Sequence, residues 1–501
     1  MPFNAASLTA PLSSVSGLDA LAARLEQDLN YLCLPPRPWM VERRHNGKPV
    51  LDVAIIGGGQ AGLAAAVGLR HQGIDAVVFD RNPRDFEGPW ATTARMETLR
   101  SPKELVGPAM GLPALTFRAW FVAQFGDAAW DALDKIPRLQ WMDYLRWYRE
   151  VMNVDVRNDC RVNDIVPRAD GLVQLALQTA KGAQQVLARR VVVATGRDGL
   201  GGPALPAFVK GLPRALWAHS SDEMDYHALA GKRVVVVGAG SSAMDSAATA
   251  LECGAARVDL LIRRPDLPRI NKSKAAGTAG LTPGHWDLPD ADKWRLRHYI
   301  NAQQVPPPHG STLRVSRHPN AFFHFGSPIL SAEPHGQGLL LHTPRGDVAA
   351  DFLIVSTGFA IDWAQRPEFA TMAPHVRTWK QRYTPPAGQA DTELGDSPVL
   401  GPAFEFQQAS AEDPLPGLSR VHCFCYPATM SHGAVAGDIP NISDGARRLA
   451  AGIASHFYRE DFEQHFAKLV AYEDPELLGD EWSPATPDQW PGTAPATETA
   501  E

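Results

Sequence analysis

Two segments of this chain follow one pattern: an apolar run, a glycine-rich loop, a helix-like stretch and a second apolar run. The loops are Gly57-Gly58-Gly59-Gln60-Ala61-Gly62 and Gly238-Ala239-Gly240-Ser241-Ser242-Ala243. In such a strand–turn–helix unit the free N–H groups at the helix start face a dinucleotide pyrophosphate. One such loop alone could be a tight turn or another phosphate site. Two complete copies point to an α/β chain with two Rossmann-like dinucleotide-binding domains, and so to two dinucleotides on one polypeptide.

The first copy opens with Asp52-Val53-Ala54-Ile55-Ile56, a short run suited to a parallel strand buried on both faces. Gly57 permits the tight turn, Gly59 the approach of the pyrophosphate, and Gly62 close helix–strand packing, with Gln60 at the helix start. The helix is expected from Leu63 to about Gln72. A second strand, Ala76 to Phe79, ends on Asp80, near the spacing at which an acid meets a ribose hydroxyl and repels a 2′-phosphate. This module suits FAD or NAD rather than NADP.

The second copy ends differently. Arg233 to Val237 leads into Gly238 and Gly240, with Ser241, Ser242 and Ala243 at the helix start and alanine in the place of the third glycine. The next strand, Val258 to Ile262, runs into Arg263 and Arg264, whose paired guanidiniums match a 2′-phosphate. NADPH is therefore the expected second dinucleotide; a solvated basic strand end is the alternative for the two arginines.

At 501 residues, 45% hydrophobic and 21% charged, the chain has the make-up of an ordinary globular protein with room for several domains. A net charge of −7 disfavours nucleic acid as a partner, and no apolar run is long enough to span a bilayer. The first residues lack the pattern of a secretory signal, and five scattered cysteines make no disulfide framework, so a reducing cytoplasm is expected. Cys33, Cys160, Cys253, Cys423 and Cys425 contain no Cys-x-x-Cys relay, so electrons should leave for something other than a protein disulfide. Cys423 and Cys425 read as small buried residues rather than metal ligands, and no metal site is expected.

Residues 1–50 read as an arm with an amphipathic helix, in which Leu18, Leu21, Leu25, Leu29 and Leu32 recur and Ser16 is placed to cap. This helix should pack on the body or on a neighbouring subunit, which makes a homodimer reasonable. Residues 51–225 and 346–478 are assigned to a discontinuous FAD domain, 226–345 to an inserted NADP domain, and 479–501 to a disordered tail rich in Pro, Thr, Ala and Glu. The insertion is placed between two strands ending in Thr-Gly, Arg190 to Gly196 and Phe352 to Gly358. Thr195 at the first of these turns joins the expected cofactor contacts. Two aromatic-rich stretches, Arg84 to Arg138 and Pro268 to Ser327, exceed a minimal nucleotide fold and should shape a substrate pocket.

Laid out in this way, residues 50 to 470 resemble the class B flavoprotein monooxygenases, which include flavin-containing, Baeyer–Villiger and N-hydroxylating enzymes. The resemblance rests on the two fingerprints, the Thr-Gly strand ends and the linker Trp217-Ala218-His219-Ser220-Ser221. Phe208-Val209-Lys210-Gly211 lies too far before His219 for the Baeyer–Villiger pattern, and Tyr226 stands downstream in place of tryptophan. Trp141 to Trp147, together with Ser431-His432-Gly433, Gly437-Asp438-Ile439 and Ser443, is similar to flavin-contacting segments of the N-hydroxylating branch. Gly88-Pro89-Trp90 is similar to an element lying over the flavin.

The resemblance implies that NADPH reduces FAD, that reduced flavin and dioxygen form a C4a-hydroperoxide, and that one oxygen passes to a small-molecule substrate. Such chemistry belongs largely to the cofactor, so no catalytic triad is expected, and no catalytic residue is singled out. Candidate cavity residues are Trp90, Arg100, Lys103 and Gln140. Trp90 has a core role as its alternative, and Arg100 and Lys103 a surface one. Ser443 or Asp444 should cap a helix carrying Leu449, Ile453 and Phe457, its N-terminus aimed at the flavin. Asp438 either bonds the ribityl chain or serves as a turn residue. His219 reads as structural. N-hydroxylation is slightly favoured; an FAD-dependent reductase or oxidase, Baeyer–Villiger oxygenation, and a nucleotide-binding redox sensor are the competing readings.

Overall fold

The computed structural model describes residues 17–492. A compact unit extends to Ser455, and a second begins at His456. In the first, the fingerprint strand Leu51–Ile56 pairs in parallel with Ala76–Phe79 on one side and Gly182–Val193 on the other. Val156–Arg157 extends the sheet beyond Ala76–Phe79, and Val421–Cys423 pairs with the end of Gly182–Val193. The long strand Gly182–Val193 also turns back through Val173–Thr179 and Cys160–Pro167, which pair antiparallel. Valines and isoleucines at the parallel ends, such as Val53, Ile55, Val191 and Val192, are completely buried, as a strand covered on both faces requires.

The second fingerprint builds a separate parallel sheet of five strands, in the order Trp217–His219, Phe352–Val355, Arg233–Val237, Arg257–Ile262 and Ala321–Phe325. Helix Ser241–Glu252 covers one face with Ala243, Met244, Ala247 and Ala248. An antiparallel trio, Ser331–His335, Gly338–Thr343 and Gly346–Ala350, closes the other face, where Leu339 and Leu341 join Val235, Leu353 and Val355.

This sheet corrects the expected boundaries at 226 and 346. Trp217–His219 and Phe352–Val355 were assigned to the FAD half, yet both hydrogen-bond within the second sheet. Position along the chain did not reveal this, because a short apolar strand suits either sheet. The segments following the two Thr-Gly turns then join each other, Gly201–Pro203 pairing antiparallel with Phe359–Ile361.

Helix Leu18–Tyr31 buries Leu21 and Leu25 and packs against the helix Phe117–Ala132. Of the two seats expected for it, the body of the same chain supplies one. Gly17 occupies its N-cap position, and Ser16 lies outside the described residues. Residues 479–492 are exposed and contain a single 3-10 turn, Pro487–Gln489; residues 493–501 lie outside the description. Among the described residues no helix is long and apolar enough to cross a membrane, and no group of His, Cys, Asp and Glu could hold a metal ion. All five cysteines are free; Cys423 and Cys425 are fully buried, with sulfurs 3.6 Å apart.

Candidate active site in a charged cleft

The first loop is held by its own strand end. Gly57 has φ +105°, and a Cβ built on Gly62 would lie 1.8 Å from the Gly57 carbonyl oxygen, so helix and turn meet only because glycine stands there. Helix Gln60–Arg70 starts three residues before the expected Leu63. Asp80 is buried and accepts from the Gly58 N–H at 2.6 Å and the Asn82 N–H at 2.7 Å. Its carboxylate thus fixes the loop. Sequence reasoning missed a second buried acid, Glu87, which accepts from Arg149 and Asn158, each at 2.6 Å. Glu87 and Arg149 line a small cleft with Gly58, Gly59 and Asp85. Nothing in the spacing marked Glu87, since tertiary packing alone brings it beside the loop.

The second loop has φ +127° at Gly238, where a Cβ would lie 2.4 Å from the Ser356 carbonyl oxygen. At Gly240 a Cβ would meet nothing within 4 Å. That open approach suits a pyrophosphate, and Ser241 and Ser242 lead the helix behind it. Arg263 is exposed, while Arg264 donates to the Ala302 carbonyl at 3.3 Å. Arg314, almost buried, pairs with Glu252 at 2.6 Å, Glu97 at 3.5 Å and Asp245 at 3.7 Å. It thereby ties the fingerprint helix to the first aromatic-rich stretch.

Several charged side chains from distant parts of the chain interact near the Thr195-Gly196 turn. Arg100 donates to the Pro306 carbonyl at 3.2 Å, so the two long insertions meet there. Arg197, directly after the Thr195-Gly196 turn, interacts electrostatically with Arg100, Arg297 and Glu393. Asp438 faces Arg100 and Arg297. Solvent reaches Arg100, Arg197 and Asp438, yet protein surrounds them: burial brings the Arg197 pKa down to about 10 and pushes the Asp438 carboxyl up. Arg297 is shifted down by the same cause, and its Nε is buried without a hydrogen-bond partner.

The helices that the second insertion adds, Leu281–Asp287 and Asp290–Gln303, carry Arg297 to this place. They are anchored on the C-terminal part of the unit. His285 Nε2 lies 3.2 Å from the Met430 carbonyl, Trp286 stacks on His432 at 4.6 Å, and Trp294 donates to the Gln389 carbonyl at 2.9 Å. Burial lowers the His285 pKa to about 4, so this anchor is neutral at ordinary pH.

The expected cavity residues divide. The Gln140 Oε1 is buried without a partner, and Trp90 is half-buried beside the loop of Gly88, whose φ is +74°. The Trp141 indole donates to Gln60 Oε1 at 3.2 Å, and Thr195 donates to the Gly199 carbonyl at 3.1 Å. Lys103 is spent elsewhere, donating to the Trp130 carbonyl at 2.7 Å. Ser443 does not cap: it lies inside helix Ile442–Glu460, donates to the Gly107 carbonyl at 2.6 Å and accepts from the Met110 N–H at 3.0 Å. His219 is buried, with its Nδ1 2.7 Å from the Ser221 hydroxyl. The residues fit two dinucleotides, because Gly240 leaves its approach open and Gln140 presents an unsatisfied acceptor.

Two parallel sheets, each with a glycine-rich turn leading into a helix, define the class of flavoprotein folds that hold two dinucleotides. The chain matches the pyridine nucleotide-disulphide oxidoreductase family over residues 54–278. It is 39% identical over 477 residues to the FAD-dependent urate hydroxylase of Xanthomonas campestris pv. campestris, covering 95% of this chain and 98% of that one. The chain belongs to the family of FAD-dependent monooxygenases that contains this urate hydroxylase. Its fold is that of the ornithine N-hydroxylase of Kutzneria sp. 744, at TM-score 0.65 and 17% identity over 81% of this chain and 100% of that one. The ornithine hydroxylase of Pseudomonas aeruginosa matches at TM-score 0.63 and 17% identity, covering 81% of this chain and 99% of the other.

Proposed function

We propose that this protein is an NADPH-dependent FAD monooxygenase of the reducing cytoplasm that hydroxylates urate or a closely similar oxopurine. The observation that carries this reading is the 39% identity to a urate hydroxylase running almost end to end through both chains. A flat, anionic heterocycle also suits the neighbourhood of Arg100, Arg197 and Arg297, which interact electrostatically.

FAD bound at the first loop supplies two-electron chemistry with the nicotinamide and with dioxygen. The chain does the rest. Gly57, Gly59 and Gly62 and the start of helix Gln60–Arg70 receive the pyrophosphate, Asp80 holds the loop in shape, and Gln140 and Asp438 offer polar groups along the flavin. Gly238, Gly240, Ser241, Ser242 and Ala243 would receive the nicotinamide dinucleotide, and Arg263 and Arg264 would offer guanidiniums to its 2′-phosphate. Arg100 and Arg314 pin the two insertions together beside the second loop.

The test is to mix the FAD-loaded protein with NADPH and urate in air. NADPH and dioxygen should be consumed in proportion to the loss of the urate ultraviolet band. Nitrogen hydroxylation of an amine is the second reading, supported by the segment Trp141 to Trp147 and by the N-hydroxylase-like fold. Hydroxylamine formed from ornithine with urate untouched would favour it. NADPH consumption that no substrate alters, with hydrogen peroxide as product, would move the protein to the oxidases.

A further inference from the structure

The described structure contains tight buried ion pairs, such as Arg149–Glu87, with N···O 2.6 Å and side chains 11% and 6% exposed. Arg197 and Glu393 are a pair of another kind. Their closest N···O approach is 4.0 Å, their side chains are 49% and 37% exposed, and neither side chain hydrogen-bonds to any described residue. Both line a small cavity together with Leu200, Phe359, Ile361 and Pro427.

Arg197 is held in place by stacking rather than by a carboxylate. Its guanidinium carbon lies 3.3 Å from the centre of the Tyr426 ring, and the Tyr426 N–H donates to the Gly196 carbonyl at 3.2 Å. Stacking fixes the plane of the guanidinium and leaves its N–H edge unused. Glu393 sits in the short helix Thr392–Asp396, which Asp391 caps by accepting from the Leu394 N–H at 3.1 Å. Arg297 approaches the same carboxylate from the insertion helix, its Nε unpaired.

We propose that Arg197 and Glu393 form the lactam-recognising end of the substrate site, with Arg297 as the additional cation. The guanidinium donates to a ring carbonyl or its anionic oxygen, and the carboxylate accepts the adjacent ring N–H. A planar –NH–C(=O)– edge is complementary to an acceptor and a donor held apart in this way. This inference rests on the oxopurine reading above. The pyrimidine ring of the flavin carries the same lactam chemistry, so the experiment must separate the two.

Arg197→Gln, Glu393→Gln and Arg197→Lys are each prepared as the FAD-loaded enzyme. Flavin content should match the parent protein, while the KM for urate rises on the order of 10–100-fold in Arg197→Gln and Glu393→Gln and kcat changes much less. Arg197→Lys keeps the charge without the fork and should fall between, which also guards against a glutamine variant that does not fold. Urate titrated against the flavin spectrum should show the same loss of affinity. An unchanged KM in variants of a urate-active parent overturns the inference alone. Loss of flavin with retained fold also overturns it, because the lactam held there would be the cofactor's. A parent enzyme indifferent to urate overturns the function on which the inference rests.

Discussion

The two glycine loops share a sequence pattern but differ in what surrounds them. Around the first, helix residues Ala61 to Leu69 are all buried, and Asp80 turns back to bind the loop it follows. Around the second, Ser242 is exposed at the helix start, Ala243 replaces glycine, and the strand end offers Arg263 to solvent. The difference teaches that one motif serves two kinds of binding. A site sealed by backbone contacts suits a dinucleotide that stays, whereas an open site with free charge suits one that arrives and leaves.

The largest effect should come at the third glycine of the first loop. Gly62→Ala forces a methyl group against the Gly57 carbonyl, 1.8 Å from the built Cβ, and should cost about 3 kcal/mol or more, yielding protein that binds no flavin. Ala243→Gly should cost only about 1 kcal/mol through helix propensity and leave NADPH oxidation intact. Denaturation midpoints and flavin absorbance check both; equal losses would break the contrast.

Next come the strand ends, where Asp80→Ala leaves the Gly58 N–H without its acceptor. Stability should fall by about 1–3 kcal/mol, with weaker flavin retention, whereas Arg264→Gln should change stability by less than about 0.5 kcal/mol. The smallest effect sharpens the nicotinamide assignment. Replacing Arg263 and Arg264 together by glutamine should raise the KM for NADPH roughly tenfold and leave that for NADH nearly unchanged. A common shift for both would remove the two arginines from 2′-phosphate recognition.

Much of this was legible beforehand because it is local. Strand, turn and helix of each fingerprint follow from residues a few positions apart, and the structure places the helices within three residues of expectation at the first loop. Ser443 shows where local reasoning fails. A serine near a helix start reads as a cap, but a loop more than 300 positions away takes its hydroxyl at Gly107 and Met110.

The cluster of charges was still less visible. Arg197 follows a Thr-Gly turn, a position that could have been noticed, but Arg297 lies on a helix of mixed composition and Glu393 in a five-residue helix. No periodicity links three residues spread over about 200 positions. The sheet assignment of Trp217–His219 and Phe352–Val355 was open for the same reason.

By itself, then, the sequence determined that two dinucleotide folds exist, which residues turn their loops, and which charges end their strands, because each depends on contacts between near neighbours. Only the tertiary structure decided how the two sheets divide the strands, that Asp80 braces its own loop, and that Arg100, Arg197, Arg297, Glu393 and Asp438 interact electrostatically. Burial and electrostatics there are sums over groups distant in the chain, and folding alone brings those groups within reach of one another.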